Sequence, residues 1–380
     1  MAVFSFYTKV ESQSHLHLSI NTISMLLILK TYNLLHCVFH RSYKKREDDV
    51  VIMQDIEKAI KENFEIDIKS ICNYKDMYII TAQQGEKKLA KLSNLRADRI
   101  SFIAEVKEHL IRNGFTNIDR NMPAIVGGFS ADIGELCLYI TDYIEGRECN
   151  LESNIETSAS ASILASMHKA SYGFRISDSI SARSELGKLP LCLQKRLDEI
   201  KKLRKAAQKG RMKFDHMICE STDYFLKTGE LALDLLADSE YIILSDKAAQ
   251  DGVISHHDFN HHNIYVNDDT MYVVNFEYCC FDLKAYDLVN LLRRKMRKCN
   301  WDVKEAVNII EEYSKIETIS KEELEIMKIM LLFPQKFWRV INKYYNSKRS
   351  WSEKSFVTRL QEVIDEVEPH SKFMSEFIKL

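Results

Sequence analysis

The stretch from Gly252 to Tyr278 constrains this chain more than any other. It reads GVISHHDFNHHNIYVNDDTMYVVNFEY. Ile264-Tyr265-Val266 and Met271 to Phe276 have strand character, and Asn267-Asp268-Asp269 between them is a turn. A polar loop, Ser255 to Asn263, precedes this hairpin, while the sequence on either side has helical spacing. A loop and hairpin set into a helical region suit one wall of a cleft, where ligands are usually held.

The chain is long enough for such a cleft. Its 380 residues are 46% hydrophobic and 28% charged, enough for two ordinary domains and too apolar for disorder. The 11 Gly and 4 Pro are far fewer than average usage, so long helices with few breakers are expected. A net charge of -2 supplies no global basic field and argues against nucleic-acid binding. The nine cysteines form no C-x-x-C pair and read as reduced thiols of a cytosolic protein, each a small buried hydrophobe.

Residues 1–52 differ from the rest. Their apolar core, Ile20 to Leu29, is interrupted by Asn21, Thr22 and Ser24, and it is too short to span a membrane. It also lacks the basic start and cleavage site of a signal peptide. The expectation is a poorly packed extension ahead of a regular pattern beginning at Met53, with no membrane association.

From Met53 the period changes in an orderly way. Asp55 to Phe64 is spaced as an amphipathic helix. Ile66 to Ile71, Met77 to Thr81 and Lys88 to Leu92 read as three short strands, the last two joined by a turn at Gln83 to Glu86. A helix over Ala97 to Asn113 ends at Gly114, and Glu135 to Ile144 reads as a further strand. Helices are then expected over Thr157 to Ser171, Lys195 to Gln208, Ser221 to Ala237 and, beyond the hairpin, from Ala285 onward. The fold class is α+β, with a small antiparallel sheet lobe over 53–144 and a mostly helical lobe over 145–380.

Several stretches together resemble the CotS family of spore coat proteins, in the aminoglycoside phosphotransferase and choline kinase branch of the protein-kinase-like fold. They are KKLAKL, FIAEVKEHL with its following NGF, YITDYIEGREC, ILASMHKAS, HHDFNHHNI, VVNFEYCCFDLKAYDLVNLLRRKM and KCNWD. The run from HHDF to YDLV is the specific part. The resemblance implies a two-lobed kinase-like fold that uses ATP and Mg²⁺. It implies Asp258 as the catalytic-loop base and Asn263 as a metal ligand. Lys91, with Lys88 as the alternative, is implied as the lysine facing the phosphates, and Glu105 as that lysine's partner. Thr141, Asp142 and Tyr143 are implied on the linker facing the adenine, and Asp287 as a structural acid behind the loop. In such sites positioning and charge neutralisation supply most of the rate.

Two departures stand out. The family pattern has Asp where Asn275 stands, and Mg²⁺ prefers carboxylate oxygen. Losing one unit charge beside a divalent ion costs on the order of several kcal/mol at intermediate dielectric, and each 1.36 kcal/mol is about tenfold in rate. If the strand continues to Tyr278, Glu277 projects on Asn275's side and is a candidate replacement ligand. Second, Ile71 to Asp76 holds no glycine, so a flexible phosphate-cradling loop is missing.

Plainer readings accompany these. The four histidines at 256, 257, 261 and 262 suggest zinc only weakly; His256 or His257 more naturally orients the loop. Glu105, Lys107 and Glu108 read equally as a charged helix face, and His168 as a packed core histidine. The run Arg293 to Lys298 reads as a solvated face. Two functions follow. One is a cytoplasmic, spore-coat-associated kinase-like protein with weak or absent phosphotransferase activity, whose partners are a nucleotide and other coat proteins. The other is an active ATP/Mg²⁺-dependent phosphotransferase acting on a small hydroxyl compound of choline, aminoglycoside or sugar type.

Overall fold

A computed structural model describes residues 53–177, 181–346 and 352–379. The chain divides into two compact units, Met1–Glu62 and Asn63–Leu380. The expected extension over residues 1–52 lies outside the described residues. In the first unit the described part is helical, belonging to α1 (53–63).

The second unit opens with a five-stranded sheet of order β1-β2-β3-β5-β4. Its strands are β1 (Ile68–Tyr74), β2 (Met77–Ala82), β3 (Lys87–Ser93), β4 (Ala131–Ile133) and β5 (Leu136–Asp142), all antiparallel to their neighbours. Alternation along β3 decides which lysine serves the cleft. Leu89, Lys91 and Ser93 line it, joined by Leu92. Lys88, one residue out of phase, is held by Glu86 (2.5 Å) and Asp142 (2.8 Å). Helix α2 (Ala97–Arg112) buries Ile100, Ile103, Val106 and Leu110 along one stripe. Gly114, at φ 89°, turns the chain out of it.

The helical part carries α3 (Asn154–Ser171), α4 (Leu189–Ala207), α5 (Lys213–Ala237), α6 (Tyr241–Asp251), α7 (Ala285–Met296), α8 (Val303–Ser314), α9 (Lys321–Leu332), α10 (Gln335–Asn346), α11 (Glu353–Asp365) and α12 (Val367–Phe377). Helices α4 and α5 begin before the expected Lys195 and Ser221. Pro190 sits in the first turn of α4, where its missing N–H costs nothing. Gly252 ends α6 at φ 67°, and a side chain there would collide with the Phe174 backbone.

Two apolar clusters hold the unit. The larger joins α2, α3, α7, α8, α9 and α12 around Phe102, Leu164, Phe259, Leu292 and Tyr313. The smaller joins α4, α5, α10 and α11, where the rings of Phe225 and Phe337 stack 4.0 Å apart. The run Arg293 to Lys298 is not a solvated face. Lys295 is 2% exposed and donates to Asn154 (2.6 Å), and Arg293 donates to the Met330 carbonyl. Two positions apart on the helix, the two cations point to different sides and reach acceptors on α9 and α3 respectively. No helix among the described residues is long and apolar enough to cross a membrane.

Candidate active site

The polar loop is held from behind before anything faces the cleft. Strand β6 (Arg147–Glu148) pairs with the first strand of the hairpin, and β7 (Ile254–Ser255) and β10 (Cys280–Phe281) pair antiparallel and close the loop-and-hairpin segment at its two ends. The backbone N–H groups of His256 (2.6 Å) and His257 (2.8 Å) donate to the two carboxylate oxygens of Asp287, in the first turn of α7. His168 of α3 reaches the same carboxylate (Nε2 to Oδ2, 3.2 Å), and its Nδ1 meets the Tyr313 hydroxyl at 2.8 Å. Asp287 is fully buried. Burial alone would push its carboxyl up, but the His168 hydrogen bond and the surrounding imidazoles outweigh burial and hold it below the usual value.

His256, also fully buried, ties the loop to the hairpin. The Asp258 N–H donates to its Nδ1 (3.2 Å), so the ring proton sits on Nε2 and donates to the Val274 carbonyl (3.0 Å). Burial lowers its pKa and keeps the ring neutral. The short helical turn His261–Asn263 is capped by Asn260, whose Oδ1 accepts from the His262 N–H (3.0 Å).

On the cleft side the side chains form one directed line. Lys91 Nζ donates to Asn275 Oδ1 (3.3 Å). Asn275 Nδ2 donates to Asn263 Oδ1 (3.2 Å), and Asn263 Nδ2 donates to Asp258 Oδ2 (2.8 Å). Asn260 holds the other Asp258 oxygen (2.9 Å). The strand ends sooner than its apolar pattern suggests. β9 (Thr270–Val273), paired with β8 (Ile264–Asn267), stops, and Asn275 adopts φ 66°, ψ 60° ahead of a helical turn Phe276–Tyr278. Asn tolerates this left-handed geometry well. Strand alternation therefore does not place Glu277; the turn does. Glu277 accepts from the Tyr139 hydroxyl of β5 (2.5 Å) and lies 3.7 Å from Lys91 Nζ. Arg99 of α2 latches this turn by donating to the carbonyls of Glu277 (2.8 Å) and Cys279 (2.6 Å).

Of these groups Lys91, Asn263, Asn275 and Glu277 border a cleft of about 450 Å³, while Asp258 is not part of its lining and connects to it through Asn263. Its walls include the β1–β2 tip (Tyr74, Lys75 and Asp76), the linker residues Asp142, Tyr143 and Ile144, and Asn263, Asn275 and Glu277. Lys75 takes φ 55° at the tip, a turn built without glycine, and lies 3.1 Å from Glu148.

The family model described as spore coat putative kinase YutH matches residues 57–377. The chain belongs to this family. It is 23% identical to spore coat protein S of Bacillus subtilis (strain 168) over 89% of this chain and 97% of that protein. It is 24% identical to the endospore coat-associated protein YutH of the same strain, over 56% of this chain and 61% of that one. Among solved structures, an aminoglycoside phosphotransferase from Alicyclobacillus acidocaldarius superposes with a TM-score of 0.74 at 20% identity, covering 85% of this chain and 95% of that one. The AMP-bound spectinomycin phosphotransferase APH(9)-Ia gives 0.59 at 15% identity, covering 83% and 97%. The fold is that of the kinase-like aminoglycoside phosphotransferases.

In this member of the YutH family, the residues at the metal position do not fit Mg²⁺ as they stand. Asn275 turns an N–H toward Asn263 and so presents no oxygen there, and one lone pair of the Asn263 oxygen is taken. The nearest carboxylate, Glu277, is engaged by Tyr139 and Lys91. A hard dication needs free oxygen donors, and here two amides satisfy one another instead. Turning either amide over would forfeit a hydrogen bond to a charged group, each worth about 1.5–3 kcal/mol.

Asp258, Asn263, Asn275, Glu277 and Lys91 all converge on this line. Asp142 and Tyr143 line the cleft, while Thr141 does not; it is 1% exposed and bridges through its backbone to Asn121. Glu105 is placed elsewhere: its carboxylate accepts from Ser177 Oγ (2.6 Å), and Lys91 meets Asn275 and Glu277 instead. The neighbouring charges are no solvated face either. Lys107 is 2% exposed and pairs with Asp119 (2.9 Å) on the cleft wall, and Glu108 pairs with Arg120 (2.6 Å). Burial pushes the Lys107 ammonium down and Asp119 opposes it. The histidines do not converge on a metal; among the described residues the one cluster spaced for an ion is His257, Cys280 and Asp282. Sequence reasoning missed Tyr139, Arg99 and Asp119. Tyr139 and Lys91 are register partners across β5 and β3, a pairing that spacing within either strand does not reveal.

Proposed function

We propose that this chain is a spore-coat-associated kinase-like protein whose cleft binds an adenine nucleotide, with phosphoryl transfer slow or absent. Family membership supports the coat association, and the relatives named for the spore coat supply its context. The neighbours of this fold include phosphotransferases crystallised with AMP, with ADP and spectinomycin, and with AMP-PNP and Ca²⁺. Here Asp142 and Tyr143 are the linker groups proposed to meet the base, and Lys91 the cation proposed to meet phosphate. The observation that carries the reading is the amide of Asn275, set between Lys91 and Asn263 where a metal-binding carboxylate would be needed.

A second reading, an active small-molecule O-phosphotransferase, is favoured by one feature. Asp258 is oriented by Asn260 and Asn263, as a base for an incoming hydroxyl would need to be. The deciding experiment measures thermal stabilisation by ADP and ATP, which must raise the melting point if either binds, alongside single-turnover transfer to choline, aminoglycoside and sugar acceptors. Stabilisation without transfer supports the first reading, and transfer abolished by Asp258→Asn supports the second. Absence of stabilisation removes the nucleotide site from both. A tagged copy confined to vegetative cytoplasm would contradict the coat assignment.

A further inference from the structure

We propose that the cleft binds its nucleotide without a divalent cation, the amide of Asn275 taking over the ion's bridging role. This rests on the nucleotide reading above and adds to it how the site handles charge.

The direction of the line is fixed from both ends. Lys91 has only donors, so Asn275 must turn its oxygen toward it. The Asp258 carboxylate has only acceptors, so Asn263 must turn its nitrogen toward it. What remains between the two amides is a nitrogen of Asn275 facing an oxygen of Asn263 at 3.2 Å. Turning Asn275 over sets donor against donor at Lys91. Turning Asn263 over sets acceptor against acceptor at Asp258.

The distance is informative. Two oxygens on one octahedral Mg²⁺ with bonds of about 2.1 Å lie about 3 Å apart. Here the same separation joins an N–H and an oxygen, so a hydrogen bond does what an ion would do between two oxygens. An aspartate at 275 would set two acceptors against each other and restore the demand for a cation.

The cleft's remaining charge agrees. Glu148 is paired with Lys75, Asp142 with Lys88 and Asp119 with Lys107. Glu277 is held by Tyr139 and Lys91. Of the carboxylates lining the cleft, only Asp76 at the β1–β2 tip has no ion pair among the described residues, and Asp258 behind Asn263 is turned onto two amides. Little unpaired negative charge is left to concentrate a dication. Lys91, 8% exposed and already inside the relay, is then the main counter-charge for phosphate. Added phosphates gain little, so ADP and ATP bind with similar strength.

The test is calorimetric titration of the full chain with ADP and with ATP, once in EDTA and once in excess Mg²⁺. The expected Kd for each nucleotide is the same in both buffers within about threefold. Binding that appears only with Mg²⁺ overturns the inference and leaves the nucleotide reading standing. No binding in either buffer overturns both. Asn275→Asp, which suits the same left-handed backbone, is expected to tighten by about tenfold or more on adding Mg²⁺; indifference to the ion counts against the inference. Lys91→Gln keeps the test independent of how that variant folds. It is expected to weaken binding in EDTA by about tenfold or more, and an unchanged Kd would show that the relay does not serve the phosphates.

Discussion

Two networks grip the same loop from opposite sides, and each ends on an aspartate. Behind the loop, Asp287 takes two backbone N–H groups and a histidine in complete burial. In front, Asp258 takes two side-chain amides, one of them from Asn263 on the cleft wall. The rear network holds backbone, so it tolerates no change of chemistry without loss of the loop's shape. The front network holds side chains, so an Asp-to-Asn exchange alters what it binds and leaves the loop in place. The kinase-like scaffold is thereby held by contacts that do not depend on the side chain at 275.

The largest effect should come from breaking the rear network. Asp287→Ala leaves two buried N–H groups and His168 without an acceptor, and is expected to cost about 3–5 kcal/mol, measured by the urea unfolding midpoint. If Asp287→Ala and Asp258→Ala cost the same, the distinction between the two networks fails. Acid should test the buried groups without mutation. His256 has a lowered pKa through burial, and burial also lowers His370, to about 4. A base lowered on folding gives stability that is whole above its unfolded value near 6.5 and falls as pH drops below it. For His370 alone this is about 2 kcal/mol between pH 6.5 and pH 5, read as a falling melting temperature. Asp287 acts lower. Its depressed carboxyl contributes above the ordinary carboxylate value, and that contribution is lost as pH falls through its folded value.

Asn275→Asp should sharpen the comparison in the other direction. Any phosphotransfer or ATPase rate is expected to rise by about tenfold or more, while stability measured in Mg²⁺ moves by less than about 1 kcal/mol. An unchanged rate would place the defect elsewhere, with the glycine-free β1–β2 tip the next suspect. The smallest effect belongs to Tyr139→Phe. It removes one hydrogen bond to Glu277 and should cost about 1–2 kcal/mol, with Glu277→Gln adding little on top in a double-mutant cycle.

Much of this was legible from one dimension because it depends on short-range spacing. A polar loop ahead of a turn marked Asp258 and Asn263, while the preference for Lys91 over Lys88 came from the family resemblance. His168 read as a packed core residue and is one. The expectation that Glu105 partners Lys91 failed because helix spacing defines a stripe and not which residue across the gap will meet it. Lys107, read as part of a charged face, proved the buried member, since its partner Asp119 lies beyond the helix end.

The amino-acid sequence by itself determined the two-part architecture, the loop with its acid and amide, and the presence of Asn where the family pattern has Asp. Only the tertiary structure decided which way that Asn points. Its orientation depends on Lys91, 184 positions away in the chain, and on an early end to β9 that places Glu277 against Tyr139. Local periodicity carries no information about such partners, because a hydrogen bond's direction is set by the donors and acceptors that folding brings to both of its ends.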